Sequence, residues 1–321
     1  MRLRSRSAHG LLLAFFSLSS LIANGQEQKV HLAGLEVHLW PPSGHSRKSP
    51  VVIYSHGYLG KGDSSRSLLQ ALARAGYWVI APDHQDRPSY TPTGQPIRFS
   101  TPNLWTPTTG LYRKDELCRL IAALPGAHLP HLDLQRIALV GHSLGGYSAL
   151  CLAGARPNWA LGGHNLKAVL ALSPYLRPLL SQRRLAGVSI PVMIESGSLD
   201  VSARPYVRNP GGAYDQLSSP KLYVEISGAR HDSWTNQDHD RARHALINRY
   251  AVAFLDHYLK GKPPDPILAH PAPGVTELRT FTSLHFNGAV HPKSTEWIDL
   301  SCSEPDAGDA APPVPCAHAP A

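Results

Sequence analysis

Cysteine is scarce, four in 321 residues, methionine scarcer still at two, and charged residues make up only 17% of the chain. This is no small module stapled by disulfides, and with 42% hydrophobic residues it is neither an acidic solvating chain, a coiled coil nor a multispanning membrane protein. The 26 glycines follow no triplet period, which excludes a collagen. No apolar stretch reaches the roughly 18 residues of a membrane span, so no stable membrane insertion is expected. Lysine plus arginine outnumber the acids 31 to 23, but Arg2, Arg4 and Arg6 belong to the extreme N-terminus and basic runs do not exceed Arg183-Arg184. A nucleic-acid surface is therefore not indicated. There is no Walker loop and no Gly-x-Gly-x-x-Gly, and neither His128 with His131 nor His239 with His244 has the spacing of two metal ligands on one helical face. The expectation is a chain with no metal and no cofactor. What remains is length enough for one α/β domain of roughly 250 residues with appendages.

The appendages lie at the two ends. Residues 1–25 run from a basic start through an apolar stretch at 11–23, broken by Ser17, Ser19 and Ser20, to Ala23-Asn24-Gly25. That order reads as a signal peptide cut before Gln26, and it implies a secreted or periplasmic protein. Residues 26–262 then form the α/β domain, and 263–321 a Pro-rich extension, disordered from about 303 on composition. Export puts the cysteines in an oxidising compartment, where Cys302 and Cys316 can close a short loop. Cys118 and Cys151 fall in helically patterned segments that suit small buried thiols as well as a bridge.

From residue 30 onward, short apolar runs alternate with amphipathic stretches, the pattern of a doubly wound sheet. Residues 30–32 and 35–40 predict an antiparallel hairpin, and 51–55, 78–81, 137–141, 168–172, 192–195 and 222–226 predict buried, mostly parallel strands. Helical spacing marks 65–75, 114–124, 143–155 and 241–259. The stretch 87–110, rich in Pro, Thr, Ser and Gly and carrying Tyr90, Phe99 and Trp105, is a long loop of the kind found near functional sites.

One of the predicted strands leads straight into Gly141-His142-Ser143-Leu144-Gly145. Glycines two before and two after a serine let the chain turn sharply from strand to helix and leave the hydroxyl exposed. The amide of Leu144 then faces an oxyanion at a helix N-terminus. A serine hydroxyl is a weak nucleophile, so a base and an orienting acid must follow in the order serine, acid, histidine. His231 lies in the small-residue loop Ser227-Gly228-Ala229-Arg230-His231-Asp232 after a strand, whereas His239, His244 and His257 fall in or beside a helix. Asp200, which leaves an apolar run through a short Gly-containing turn, is preferred as the acid to Glu195 within that run, to Asp215 and to Asp232. The loop Ser55-His56-Gly57-Tyr58-Leu59-Gly60 supplies the second oxyanion donor, the amide of Tyr58. Tyr58, Trp105, Tyr175 and Trp234 are candidate pocket walls.

These motifs, with Ala81-Pro82-Asp83-His84, Gly146-Tyr147-Ser148-Ala149-Leu150, Gly197-Ser198-Leu199-Asp200 and Phe254-Leu255-Asp256-His257-Tyr258-Leu259-Lys260-Gly261, resemble secreted α/β hydrolases. The group is that of the dienelactone-hydrolase-like and platelet-activating-factor-acetylhydrolase-like enzymes, and the likeness spans about residues 49–260. The resemblance implies an α/β-hydrolase fold and hydrolysis of carboxylic esters through an acyl-enzyme, without a cofactor. Two departures narrow it. Dienelactone hydrolases proper carry a cysteine nucleophile where this chain has Ser143. The animal acetylhydrolases place their acid after the sixth strand, where Leu170-Ala171-Leu172-Ser173-Pro174-Tyr175 has no carboxylate, and Asp200 takes the seventh-strand position of bacterial relatives and polyester hydrolases. The expected substrate is a small-molecule or lipid ester, short-acyl or hydrophobic. A peptidase or acyltransferase would share the mechanism, and a non-catalytic binding protein would share only the fold.

Overall fold

The computed structural model describes residues 26–44, 48–86, 97–106, 109–161, 165–218 and 220–281. The expected signal peptide, the Cys302 to Cys316 bridge and the tail from 282 lie outside them.

Among the described residues, nine strands form one sheet: β1 (Gln28–Leu32), β2 (Leu35–Trp40), β3 (Ser49–Ser55), β4 (Trp78–Pro82), β5 (Leu132–His142), β6 (Leu166–Leu172), β7 (Val192–Gly197), β8 (Lys221–Ile226) and β9 (Val275–Phe281). Their spatial order is β1-β2-β4-β3-β5-β6-β7-β8-β9. β3 to β8 pair in parallel, and β1, β2 and β9 run antiparallel to their neighbours. This is the α/β-hydrolase fold with its N-terminal antiparallel hairpin.

The helices that cover the sheet are α1 (Arg66–Arg74), α2 (Leu111–Ala123), α3 (Leu144–Leu150) and α4 (Arg241–Lys260). A parallel strand buried on both faces reads as a continuous apolar run, and β3 divides its side chains between two cores. Val51 and Ile53 face a layer with Leu117, Leu120, Leu144 and Leu150 of α2 and α3. Val52 and Tyr54 face one with Leu68, Leu72, Tyr250 and Phe254 of α1 and α4. Each fully buried Leu, Ile or Phe contributes roughly 1.5–3 kcal/mol, so the two layers fix the sheet firmly enough to hold the loops at its edge. Helix α4 starts at Asp240, whose carboxylate accepts from the Arg243 amide at 3.0 Å, and stops at Gly261 with φ 68°.

Two expectations are corrected. The segment predicted as one helix over 143–155 is α-helical only to Leu150 and then widens into a π-helical turn at Cys151–Ala155. The sheet also continues past 262, because β9 closes its edge against β8. β9 escapes a search for apolar runs because it is partly exposed and interleaves apolar Val275, Leu278 and Phe281 with polar residues. Cys118 and Cys151 are buried and form no disulfide among the described residues.

Candidate active site

The adjacent strands β5, β6, β7 and β8 end side by side, and each presents one polar side chain to a common point: Ser143, Ser173, Asp200 and His231 respectively. Backbone bonds carry the alignment beyond the strands themselves. The Ser143 amide donates to the Leu172 carbonyl at 3.0 Å, that of Ser173 to Glu195 at 2.7 Å, and that of Ser198 to Ile226 at 2.9 Å.

Ser143 has φ 52° and ψ −114°, a left-handed backbone that a non-glycine residue adopts only under constraint. The constraint is close packing at the turn into α3. A Cβ on Gly145 would lie 1.9 Å from the Ser55 carbonyl oxygen, so only glycine fits there. The same device recurs where β7 meets the His231 loop, since a Cβ on Gly197 would lie 2.0 Å from the Ala229 carbonyl oxygen.

The hydroxyl of Ser143 lies 2.9 Å from Nε2 of His231. If Nε2 accepts the serine hydrogen, Nδ1 must carry the ring N–H. Facing Nδ1 are three oxygens: Ser173 Oγ at 2.7 Å, Ser202 Oγ at 2.9 Å and Asp200 Oδ1 at 3.5 Å. Asp200 is buried, and burial by itself raises a carboxyl. The neighbouring His231 and the hydroxyls of Ser173 and Ser202 prevail and hold it well below the usual carboxylate range, so it is ionised at neutral pH. The amides of Ser202 and Ala203 also donate to Oδ1, at 3.0 and 3.1 Å. His142, next to Ser143, is pushed down to about 3, first by burial and then by the neighbouring His231, so its ring is neutral. Its Nε2–H donates to the His231 carbonyl at 2.8 Å and steadies that loop.

The loop after β3 packs against the turn: a Cβ on Gly57 would lie 3.5 Å from the Ser143 Cβ. Gly57, which precedes Tyr58, thus lies against the serine turn that Leu144 continues, and neither the Tyr58 nor the Leu144 amide donates to a described residue. Beneath this loop lies a network that sequence reasoning missed. Arg113 of α2, fully buried, donates through Nη1 to the His56 carbonyl at 2.6 Å and through Nη2 to Asp86 at 2.6 Å. The amide of His84 donates to Nε2 of His56 at 3.0 Å, so the Nδ1–H of His56 donates to the Gly57 carbonyl at 2.6 Å. Ser55 Oγ, His84 and Glu116 repeat the order of hydroxyl, imidazole and carboxyl at 2.8 and 2.7 Å, but all three are buried from any substrate.

Of the candidate pocket walls, three come together. Phe99 joins them: its ring lies 5.2 Å from Tyr58, 5.9 Å from Trp105 and 4.9 Å from Tyr175. Trp105 also packs on Tyr175 at 5.1 Å, and the Tyr175 amide donates to the Ser143 carbonyl at 3.0 Å. Beyond Trp105 lies an open cavity of about 860 Å3 that Leu111, Arg156, Arg177 and Tyr206 also line. Trp234 does not belong to this wall. It is buried in the core layer of α1 and α4, where its indole N–H donates to Glu195 at 2.8 Å.

Far along the sheet, His38 gathers with Glu27 and Asp63, and with Glu36 and Asp83, each group within 4.8 Å and able in principle to hold a cation. Arg66 pairs with Glu27 and Asp63, and Lys29 lies 3.4 Å from Glu36. Among the described residues no helix is long and apolar enough to cross a membrane.

Comparison with known proteins agrees with the geometry. A family model described as the alpha/beta hydrolase fold matches residues 50–188, and one described as PET hydrolase-like matches residues 125–263. Cutinase 1 of Thermobifida cellulosilytica is 30% identical over 130 residues, 40% of this chain and 43% of that protein. The cutinase of Thermobifida fusca strain YX is 30% identical over 130 residues, 40% and 37% respectively, and cutinase est2 of Thermobifida alba is 26% identical over 213 residues, 65% and 59%. The matches at 30% identity thus span less than half of those relatives' length.

Proposed function

We propose that this chain of the α/β-hydrolase superfamily is an exported serine esterase that cleaves carboxylic esters through an acyl-enzyme. Ser143 is the nucleophile, His231 the general base and acid, Asp200 the orienting acid, and the amides of Tyr58 and Leu144 are the oxyanion donors. The observation that carries the reading is the 2.9 Å contact between Ser143 Oγ and His231 Nε2 at a strained strand-to-helix turn.

In the first half-reaction Ser143 Oγ attacks the ester carbonyl carbon as its proton passes to Nε2 of His231. The Nδ1–H stays in place, and the negative charge of Asp200 stabilises the imidazolium. The tetrahedral oxyanion accepts from the two amides, each worth about 3 kcal/mol by analogy with single-donor deletions. Nε2 then protonates the departing alcohol, leaving the acyl group on Ser143. Water repeats the sequence, and the carboxylic acid leaves with the serine restored.

The aromatic wall of Tyr58, Phe99, Trp105 and Tyr175 suits a hydrophobic ester. The likeness to cutinases and to PET hydrolase-like proteins favours a polyester or general ester over the phospholipid acetyl ester that the wider resemblance allows. The test is hydrolysis of a panel of p-nitrophenyl esters of graded chain length, a polyester film and a peptide substrate. Ester and film hydrolysis is expected to exceed peptide cleavage. Peptide cleavage without ester cleavage would overturn the reading.

A further inference from the structure

We infer that Ser173 is a positioning residue that relays the orienting charge of Asp200 to His231 through its hydroxyl. The inference rests on the esterase reading above and adds to it a role for a residue on a strand that the three-membered set leaves unused.

Distance comes first. The shorter approach of Asp200 to Nδ1 through Oδ1 is 3.5 Å, beyond ordinary hydrogen-bond range. Ser173 Oγ is 2.7 Å from Nδ1 and also bonds Asp200 Oδ2. The hydrogens allow one arrangement. An ionised Asp200 can only accept, and Nδ1–H of the resting imidazole can only donate, so the Ser173 hydroxyl donates to the carboxylate and accepts from the ring. Ser202 is placed to do the same, 2.7 Å from Asp200 Oδ1 and 2.9 Å from Nδ1. The imidazole therefore meets the charge of Asp200 through two hydroxyls, one from the end of β6 and one from the turn after β7.

The backbone separates the two serines. Ser173 sits at φ 44°, in the left-handed region, and is fully buried. Its amide is held by the Glu195 carbonyl at 2.7 Å, so the strain is imposed by the strand end and carried there. Glycine would relieve that strain, yet the side chain present is a hydroxyl aimed at the catalytic ring. A buried hydroxyl on a rigid strand end fixes the ring more tightly than one on a partly exposed turn, which makes Ser173 the dominant relay.

The test compares wild type with Ser173→Gly, Ser173→Ala and Ser202→Ala, measuring ester kinetics, thermal stability and the low-field proton resonance of His231 Nδ1–H. Ser173→Gly is expected to keep or raise the melting temperature, to hold KM within about twofold and to lower kcat up to about 100-fold. Its low-field resonance should move upfield, and Ser202→Ala should show the same changes more weakly. Ser173→Ala checks that the loss follows the hydroxyl rather than added backbone freedom. If both Ser173 variants keep kcat within about twofold and the resonance stays in place, the proposal is wrong while the esterase reading stands. A wild-type protein inert to every ester overturns the esterase reading instead, and the resonance, which needs no substrate, still decides the role of Ser173.

Discussion

Arg113 Nη1 donates to the main-chain carbonyl of His56 at 2.6 Å, joining helix α2 to the loop after β3 across 57 residues of sequence. The same guanidinium meets the carboxylate of Asp86, and both groups are largely buried. The pair thus anchors the peptides that precede Tyr58, the proposed oxyanion donor.

Removing the cation alone leaves the buried carboxylate of Asp86 without its counter-ion, held by the Tyr112 hydroxyl at 3.0 Å. Arg113→Met should destabilise the fold by about 3–5 kcal/mol in denaturant titration. The double variant Arg113→Met with Asp86→Leu should recover much of that stability but not kcat, because the His56 and Gly57 carbonyls remain unclamped. Recovery of both would show that the network supports the fold and leaves the oxyanion loop unaffected.

Glu195 gives the protein a stability limit on the alkaline side. Burial pushes its carboxyl from the ordinary 4.5 up to about 8, against a smaller opposing effect of the Trp234 N–H. The folded chain therefore holds a proton that the unfolded chain loses above about 4.5, so this contribution is complete below 4.5 and is lost as pH rises through about 8. Glu116, raised by burial to about 7, acts in the same direction. Urea unfolding at pH 5 and pH 9 should show a loss on the order of a few kcal/mol, and Glu195→Gln should flatten it. An unchanged slope in Glu195→Gln would contradict the assignment.

Asp200→Asn keeps the shape of the acid and removes its charge. Turnover at neutral pH should fall by about 10²–10⁴, the upper figure being the loss in the serine-protease case, while the protein stays folded. Substitution of Asp215 or Asp232 should change turnover little. If Asp200→Asn remains active and Asp232→Asn does not, the acid has been misassigned.

The buried parallel strands were legible because each is a short apolar run, and the strand-to-helix turn at Ser143 because its glycines are demanded by backbone contacts such as that of Gly145 with Ser55. β9 was not, because an edge strand mixes polar and apolar residues. Ser173 and Ser202 carry no signal in the sequence at all: a serine at a strand end gains meaning only when β5 to β8 bring it beside an imidazole. Arg113 was hidden for the same reason, a basic residue in a helix whose partners lie at Ser55 to Gly57 and Asp86. Trp234, expected at the pocket wall, instead turns its indole N–H inward to Glu195.

The account stands most directly on the reactivity of one hydroxyl. Wild-type protein treated with a fluorophosphonate and digested for peptide mass spectrometry should carry the adduct on Ser143, with ester hydrolysis lost in step. Ser143→Ala should neither label nor turn over. An adduct on another residue, or ester hydrolysis at the wild-type rate by Ser143→Ala, would contradict it.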